Sequence, residues 1–428
     1  MAGGGHIARR AARWGVRQLH RADRVARTLF PRRSVLIEAR TPMNLAVLRP
    51  VFAPLLDDSR VRVRFTGPAR EDLARSYGEL GVADRVIARR HATWTRVDLY
   101  INADPWEAVP LRRVHRQMHF FHGVAGKYDL DCPVGLPLGF ARYDRVAFPN
   151  EERRRAYVAA GIVRPERAIL VGYPKADPLV TGRAVPTNPP LGLDPGRPTA
   201  LFAPTFSPAS ALNHAGEAIV ETLLACGCNV IVKLHDRSLD ADPRYTGGVD
   251  WRARFRRFAG PAFLLAVEAD STPYLLASDL MITDHSSIGF EFCVLNRPLI
   301  VFDAPGLVEV ARINPQKVAL LRSAARVVRD PRELADAVRA ALSSPADQSI
   351  ARRQVTQKVF YRPGTATARA VALVYEMLEL PYAEGAGTHT AEGDGAGLAL
   401  AGHRETDPDG VVTGPRMARS GPSQEPAA

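Results

Sequence analysis

Cysteine is scarce in this 428-residue chain, with four residues at Cys132, Cys226, Cys228 and Cys293. That density excludes a disulfide-stapled scaffold, and the "CGC" of 226–228 is too tight for zinc-ligand spacing. The four read as buried thiols in a reducing compartment. No apolar run approaches the roughly 18–20 residues of a membrane span. The N-terminus has neither an apolar h-region nor a small-residue cleavage site, so no secretion signal is expected. There is no G-x-x-x-x-G-K-[ST] loop, paired CxxC, HExxH run or nucleophile elbow, and the "GGG" at 3–5 precedes no strand-to-helix phosphate loop. No clustered carboxylates mark a divalent-cation site, so neither a protein-bound metal nor another cofactor is expected. Aromatics make up only 7% of the chain. Few of them interleave with the Arg-rich stretches "RRR" (153–155) and "RARFRR" (252–257). Those stretches therefore read as solvated helix faces and not as a nucleic-acid surface.

Positive charge is what the chain has in excess: 57 Lys plus Arg against 45 Asp plus Glu, a formal net charge of +12. That balance favours anionic partners such as phosphorylated substrates, acidic lipid or nucleic acid. With 46% hydrophobic residues, the chain can fill two packed cores at roughly 100–200 residues per domain.

Residues 1–33 form a basic arm. In a helix, Arg10, Arg13, Arg17, Arg21 and Arg24 share one face, Ala12, Val16, Leu19, Ala26 and Phe30 share another, and Pro31 ends the run. Such a helix suits an anionic leaflet, where each basic residue contributes about 1 kcal/mol near the surface. Gly15 and Asp23 interrupt it, and a solvated or domain-packed arm fits the same pattern. From 34 to 180, short apolar runs ("SVLIEA", "VRVRF", "VDLYIN", "QMHFFHG", "AILVGYP") read as strands, and "EERRRAYVAAG" as a helix closed by Gly161. Residues 181–198 are rich in Pro and Gly and read as a linker. A second strand–helix series occupies 199–345, with further helices in 346–382. The composition of 383–428 predicts a disordered tail. Buried Val, Ile and Leu runs separated by helices predict parallel sheets covered on both faces. The fold class is therefore α/β with two Rossmann-like lobes.

Ligands of open parallel sheets gather beyond the carboxyl ends of the strands. The residues just past each apolar run are therefore informative. "MHFF" is followed by His122 and Gly123, "LFAP" by Thr205, "VIV" by Lys233 and His235, and "DLMI" by Asp284, Ser286 and Ser287. Imidazole, with an ordinary pKa of about 6.5, can take a proton from an alcohol near neutral pH, which makes His122 a candidate general base. An ordinary structural histidine fits the same position. Lys233 and His235 alternate to one side of an extended chain and could reach one diphosphate; a surface salt link to Asp236 or Asp240 fits as well. Ser286 and Ser287 open a predicted helix whose unpaired N–H groups suit an anion, although a capped helix with no ligand has the same pattern.

Taken together, several segments resemble the CDP-glycerol glycerophosphotransferase family of teichoic-acid-type polymerases and primases. The family's "HG" element is matched by His122–Gly123, its "SPNE" by "FPNEE" (148–152) and its "GYPR.D" by "GYPKAD" (172–177). In the second lobe, its "PTW", "KLHP", "DYSS..FD" and "RP" plus apolar strand are matched by "PTF" (204–206), "KLHD" (233–236), "DHSSIGFEF" (284–292) and "NRPLIVF" (296–302). The ordered match spans roughly residues 100–310. The resemblance implies a GT-B architecture of two facing Rossmann-like domains, with His122 as the base for an acceptor hydroxyl. It also implies that His235, Ser286 and Ser287 hold a nucleotide-diphosphate donor, with Gly123, Thr205, Lys233 and Asp284 nearby, in a cytoplasmic enzyme peripheral to the membrane. The acceptor would be lipid-linked or polymeric. This chain departs from the pattern at the run after "HG", and at Phe206, Asp236, His285 and Glu291, which stand for Trp, Pro, Tyr and Asp. The same fold would also suit a UDP-sugar glycosyltransferase or epimerase, or a non-catalytic membrane-surface module.

Overall fold

The computed structural model describes residues 14, 18–23, 25–106, 108–125, 139–182 and 192–382. The apolar runs of the first half become β1 (Arg33–Glu38), β2 (Val61–Thr66), β3 (Val97–Asn102), β4 (Val114–Phe120), β5 (Arg145–Phe148) and β6 (Ala168–Leu170). Those of the second half become β7 (Thr199–Ala203), β8 (Asn229–Lys233), β9 (Phe263–Ala266), β10 (Leu280–Thr283), β11 (Leu299–Phe302) and β12 (Arg326–Val328). Each set forms a six-stranded sheet in which every pairing is parallel. Central strands β7, β8, β10 and β11 are buried along their whole length, as expected of strands covered by helices on both faces. At the edge, β2 instead buries Val61 and Val63 and exposes Arg62.

Strand order places the clefts. The first sheet runs β2-β1-β3-β4-β5-β6 and the second β12-β11-β10-β7-β8-β9. Chain direction across each sheet reverses once, between β1 and β3 in the first and between β7 and β10 in the second. Loops leaving the strands on either side of such a switch point part to form a ligand crevice. In the second lobe those loops carry Thr205 and Asp284.

The chain does not end where the second sheet ends. Helix Ser349–Val359 packs beneath the second sheet with Val355 and Val359 buried. Helix Ala366–Leu378 then returns to the first sheet, where Ala370, Val374 and Leu378 join the core of Val35, Ile37 and Leu99. Asp177 secures that return by accepting from the N–H groups of Gly364, Ala366 and Thr367 at 2.6–3.2 Å.

One sequence reading needs correction. The strand expected in "AILVGYP" stops at Leu170. Gly172 adopts φ +95°, and a Cβ there would lie 2.6 Å from the Tyr361 carbonyl oxygen, so the chain turns instead into Pro174–Ala176. In the arm, residues 18–23 and 25–29 are helical, and Phe30, expected on the apolar face, is exposed with Val25 and Leu29. Arg27 turns inward instead, donating to the Leu378 carbonyl at 3.3 Å, and Asp23 pairs with Arg113. Most of the basic face (Arg10, Arg13, Arg17, Arg24), much of the 181–198 linker and the 383–428 tail lie outside the described residues.

Candidate functional site

In the first lobe, the loop that leaves β4 is held from three sides. His122 Nδ1 lies 2.8 Å from the Ala103 carbonyl oxygen. A carbonyl only accepts, so Nδ1 carries the hydrogen and the Nε2 lone pair is the basic site of the ring. Tyr173 donates its hydroxyl to the His122 carbonyl at 3.2 Å. Arg153 donates to the Gly123 carbonyl at 2.7 Å and lies 5.0 Å over the Phe121 ring. Ala103 is itself anchored through its neighbour Asn102. The Asn102 amide donates to the Asp104 carbonyl and the Tyr143 hydroxyl, both at 2.8 Å, and accepts from His119 Nδ1 at 2.9 Å. Complete burial, with the nearby charges of His122 and Arg153, holds His119 well below the usual imidazole range, so it stays neutral.

In the second lobe, His235 has the opposite hydrogen-bonding arrangement. Its Nδ1 accepts from the backbone N–H of Arg237 at 3.2 Å, which leaves the hydrogen of a neutral ring on Nε2. Its ring packs 4.4 Å from that of Phe206. Ser286 occupies the cap position of helix Ser287–Cys293, yet its side chain makes no capping bond. The helix has seven residues, so it offers unpaired N–H groups and serine hydroxyls more than a large macrodipole. The Thr205 hydroxyl is buried without a hydrogen-bond partner among the described residues. An orphaned buried oxygen of this kind calls for a ligand or water to satisfy it.

Two residues expected at the ligand are instead turned into the lobe. Asp284 is fully buried. Its carboxylate accepts from the Thr205 N–H at 2.9 Å and 3.1 Å and from the Ala211 N–H at 3.2 Å, tying the β7 loop to the β10 loop across the switch point. Lys233 is 7% exposed and its ammonium donates to the Leu234 carbonyl at 2.7 Å. Burial lowers its pKa below the usual lysine range. It does not share one side of a strand with His235, because β8 ends at Lys233 and the chain turns into Asp236–Leu239.

The two lobes meet at the predicted residues. A Cβ built on Gly123 would lie 3.9 Å from Ser287 Oγ. Ala125 of the first lobe lines a small pocket with His285, Ser287 and Lys317 of the second. Two ion pairs cross the junction, Lys175 to Glu291 at 2.6 Å and Lys317 to Glu152 at 2.8 Å. Beside it, His285 Nε2 lies 3.1 Å from Asp303, which also pairs with Arg322 and Arg329. Burial alone would raise the Asp303 pKa, but His285 and Arg322 outweigh it and hold the carboxyl below the usual range. Asp303, Arg322 and Arg329 border a cavity of about 570 Å³ after β11 and β12.

Sequence reasoning missed Arg153, Lys175 and the Glu291 pairing. Arg153 is 4% exposed, where a solvated face was expected. Its spacing of four from the buried Tyr157 is the signal that could have found it. Cys228 and Cys293 are buried free thiols, pushed up by that burial to about 11 and about 12, while Cys132 lies outside the described residues. Among the described residues no group of three or more His, Cys, Asp and Glu could hold a metal ion. No helix among them is long and apolar enough to cross a membrane.

This architecture is shared with solved structures. One is the wall teichoic acid polymerase TagF, with TM-score 0.57 and 16% identity over 88% of this chain and 99% of that one. Another is the S. aureus MnaA–UDP co-structure, with TM-score 0.53 and 11% identity over 82% and 98%. A UDP-N-acetylglucosamine 2-epimerase also matches, with TM-score 0.53 and 11% identity over 81% and 96%. At these identities the likeness speaks for the fold, which is GT-B-like. No curated protein matches the sequence significantly. The family model for CDP-glycerol:poly(glycerophosphate) glycerophosphotransferase matches residues 106–376, more than half of the 428. With its "HG" loop set against the paired serines of the opposite lobe, the chain belongs to that family.

Proposed function

We propose that the protein transfers glycerol phosphate from CDP-glycerol to a hydroxyl of a cell-envelope polymer or lipid-linked acceptor. Residues 34–180 form the acceptor lobe and 199–345 the donor lobe. The observation that carries this reading is the opposite hydrogen placement on two histidines, in a chain of this family. His122 offers a lone pair at Nε2, and His235 an N–H at Nε2. His122 takes the proton of the acceptor hydroxyl as its oxygen attacks the β-phosphorus of the donor. The bond from that phosphorus to the bridging oxygen breaks, and CMP leaves with the electron pair. His235, the hydroxyls of Ser286, Ser287 and Thr205, and the N–H groups at the helix start stabilise the phosphate charge as it develops. Asp284 holds two of those loops in register. One TagF structure with the same fold comes from a soak with CDPG, which agrees with this donor.

The enzyme works in the cytoplasm, on the inner face of the membrane. The basic arm, with Val25, Leu29 and Phe30 exposed, supplies that contact. Separate incubations with CDP-glycerol, CDP-ribitol and UDP-sugars, each read by mass spectrometry, test the reading. CMP released from CDP-glycerol is expected. UDP release or an epimerised UDP-sugar would transfer the protein to sugar chemistry. Absence of nucleotide binding by calorimetry, beside vesicle binding that depends on residues 1–33, would leave a membrane-surface module.

A further inference from the structure

We infer that Lys175 is a positioning residue: its ion pair with Glu291 is a length-matched clasp that sets the gap between the His122 loop and the Ser286–Ser287 turn. The inference rests on the transferase reading above. Lys175 Nζ lies 2.6 Å from Glu291 Oε2 and 2.7 Å from Ser271 Oγ. Both charged side chains are only 6–7% exposed, so neither swings freely in solvent. The pair spans the two lobes at the level of the site. Glu291 stands one turn into the helix that begins at Ser287, and Lys175 sits in the turn Pro174–Ala176.

That turn belongs to a short strap with three attachments. Tyr173 donates to the carbonyl of His122 itself at 3.2 Å. Lys175 grips the second lobe. Asp177 holds the N–H groups of Gly364, Ala366 and Thr367, where the chain crosses back to the first sheet. A shift of Lys175 is therefore transmitted through Tyr173 to the backbone of the base. Glu291 is close enough to the Tyr173 phenol to help burial push its pKa well above the usual range.

Chain length offers a direct probe of the clasp. Arginine reaches one bond farther than lysine, and aspartate one methylene less far than glutamate, so the two substitutions change the span in opposite directions.

Reciprocal swaps test this. Lys175→Arg makes the pair too long and Glu291→Asp makes it too short, each by about one bond. A misplacement of about 1 Å can cost on the order of 10²-fold in rate, so each single swap is expected to lower kcat by roughly 10- to 100-fold. For Lys175→Arg the KM for CDP-glycerol should change by less than about threefold, because the proposed phosphate contacts all lie in the other lobe. The double swap is expected to recover kcat to within about threefold of the parental protein. Small-angle scattering of the same four proteins without substrate gives a second readout: the radius of gyration should change in each single swap and return in the double. Single swaps with parental kcat, or a double swap no faster than the slower single, would overturn the clasp. If the parental protein releases no CMP from CDP-glycerol, the transferase reading falls, and the scattering series alone decides whether the clasp exists.

Discussion

Replacing His122 with glutamine and His235 with glutamine makes the same chemical change at two sites, yet the structure predicts unequal losses. The glutamine amide nitrogen reaches close to where a histidine Nε2 sits and can donate a hydrogen bond, but it cannot accept a proton as a base. At position 235 the ring donates through Nε2, since Nδ1 is occupied by the Arg237 N–H, so His235→Gln keeps the essential donor. Removing such a donor altogether costs about 10²–10³ in kcat. His235→Ala is therefore expected to lose that much, and His235→Gln less than about tenfold. At position 122 the Ala103 carbonyl forces the hydrogen onto Nδ1, so the ring serves through its Nε2 lone pair and glutamine supplies no substitute. General-base catalysis contributes typically 10²–10⁴-fold, roughly 3–5 kcal/mol of barrier, and His122→Gln should lose that range. The assay is CMP release at saturating CDP-glycerol with fixed acceptor. A His122→Gln protein that kept the parental rate would refute the assignment. So would a His235→Gln protein as slow as His235→Ala.

Gly123→Ala should be tolerated within about threefold, because the added Cβ would sit 3.8 Å from the Ala125 oxygen and 3.9 Å from Ser287 Oγ, ordinary contact distances. Gly123→Val presses two more methyl groups toward that oxygen. Overpacking of this kind costs typically 1–3 kcal/mol, so the donor KM should rise about tenfold, and steady-state kinetics of the two variants checks the contrast. A dead alanine variant would mean that the glycine serves a closer approach than the one to Ser287. A second prediction concerns pH and stability. Native His119 stays neutral because it is buried, whereas in the unfolded chain it takes a proton below about pH 6.5. The unfolded state then binds more protons, so stability falls as pH drops through 6.5, by at most about 1.4 kcal/mol per unit. His119→Gln removes that contribution, and its unfolding free energy in urea should decline less steeply than the parental one between pH 6.5 and 5. Equal slopes would contradict the neutral burial.

The strands were legible because both faces of a parallel sheet are covered, so "VIV" and "LIVF" appear as unbroken apolar runs. The residues to inspect were legible because candidate ligand groups come directly after such runs: His122, Thr205, His235, Ser286 and Ser287 all lie just beyond strand ends. Side-chain direction was not legible. Alternation put Lys233 beside His235, but that rule applies only while the chain is extended, and β8 stops at Lys233. Asp284 had the look of a ligand group and instead accepts from two N–H groups of the segment after β7, since nothing in "TDHSS" tells which N–H groups another segment brings near. Arg153 was hidden inside a run of three arginines whose other two, Arg154 and Arg155, pair with Glu151 on the helix surface.

The departures from the family pattern are not scattered once placed in space. Phe206 packs against His235, His285 pairs with Asp303, and Glu291 pairs with Lys175. Each new side chain is met by a neighbour suited to it. Asp236 is the exception, with a buried carboxylate oxygen that has no hydrogen-bond partner among the described residues. The two histidines, by contrast, are oriented by main-chain groups, the Ala103 carbonyl and the Arg237 N–H. A backbone partner survives substitution of its own side chain, so the hydrogen placement on the two rings is insulated from sequence drift. The side chains around them have no such protection. On the proposed roles, divergence around this site would change which donor and acceptor fit before it changed which histidine gives and which takes the proton.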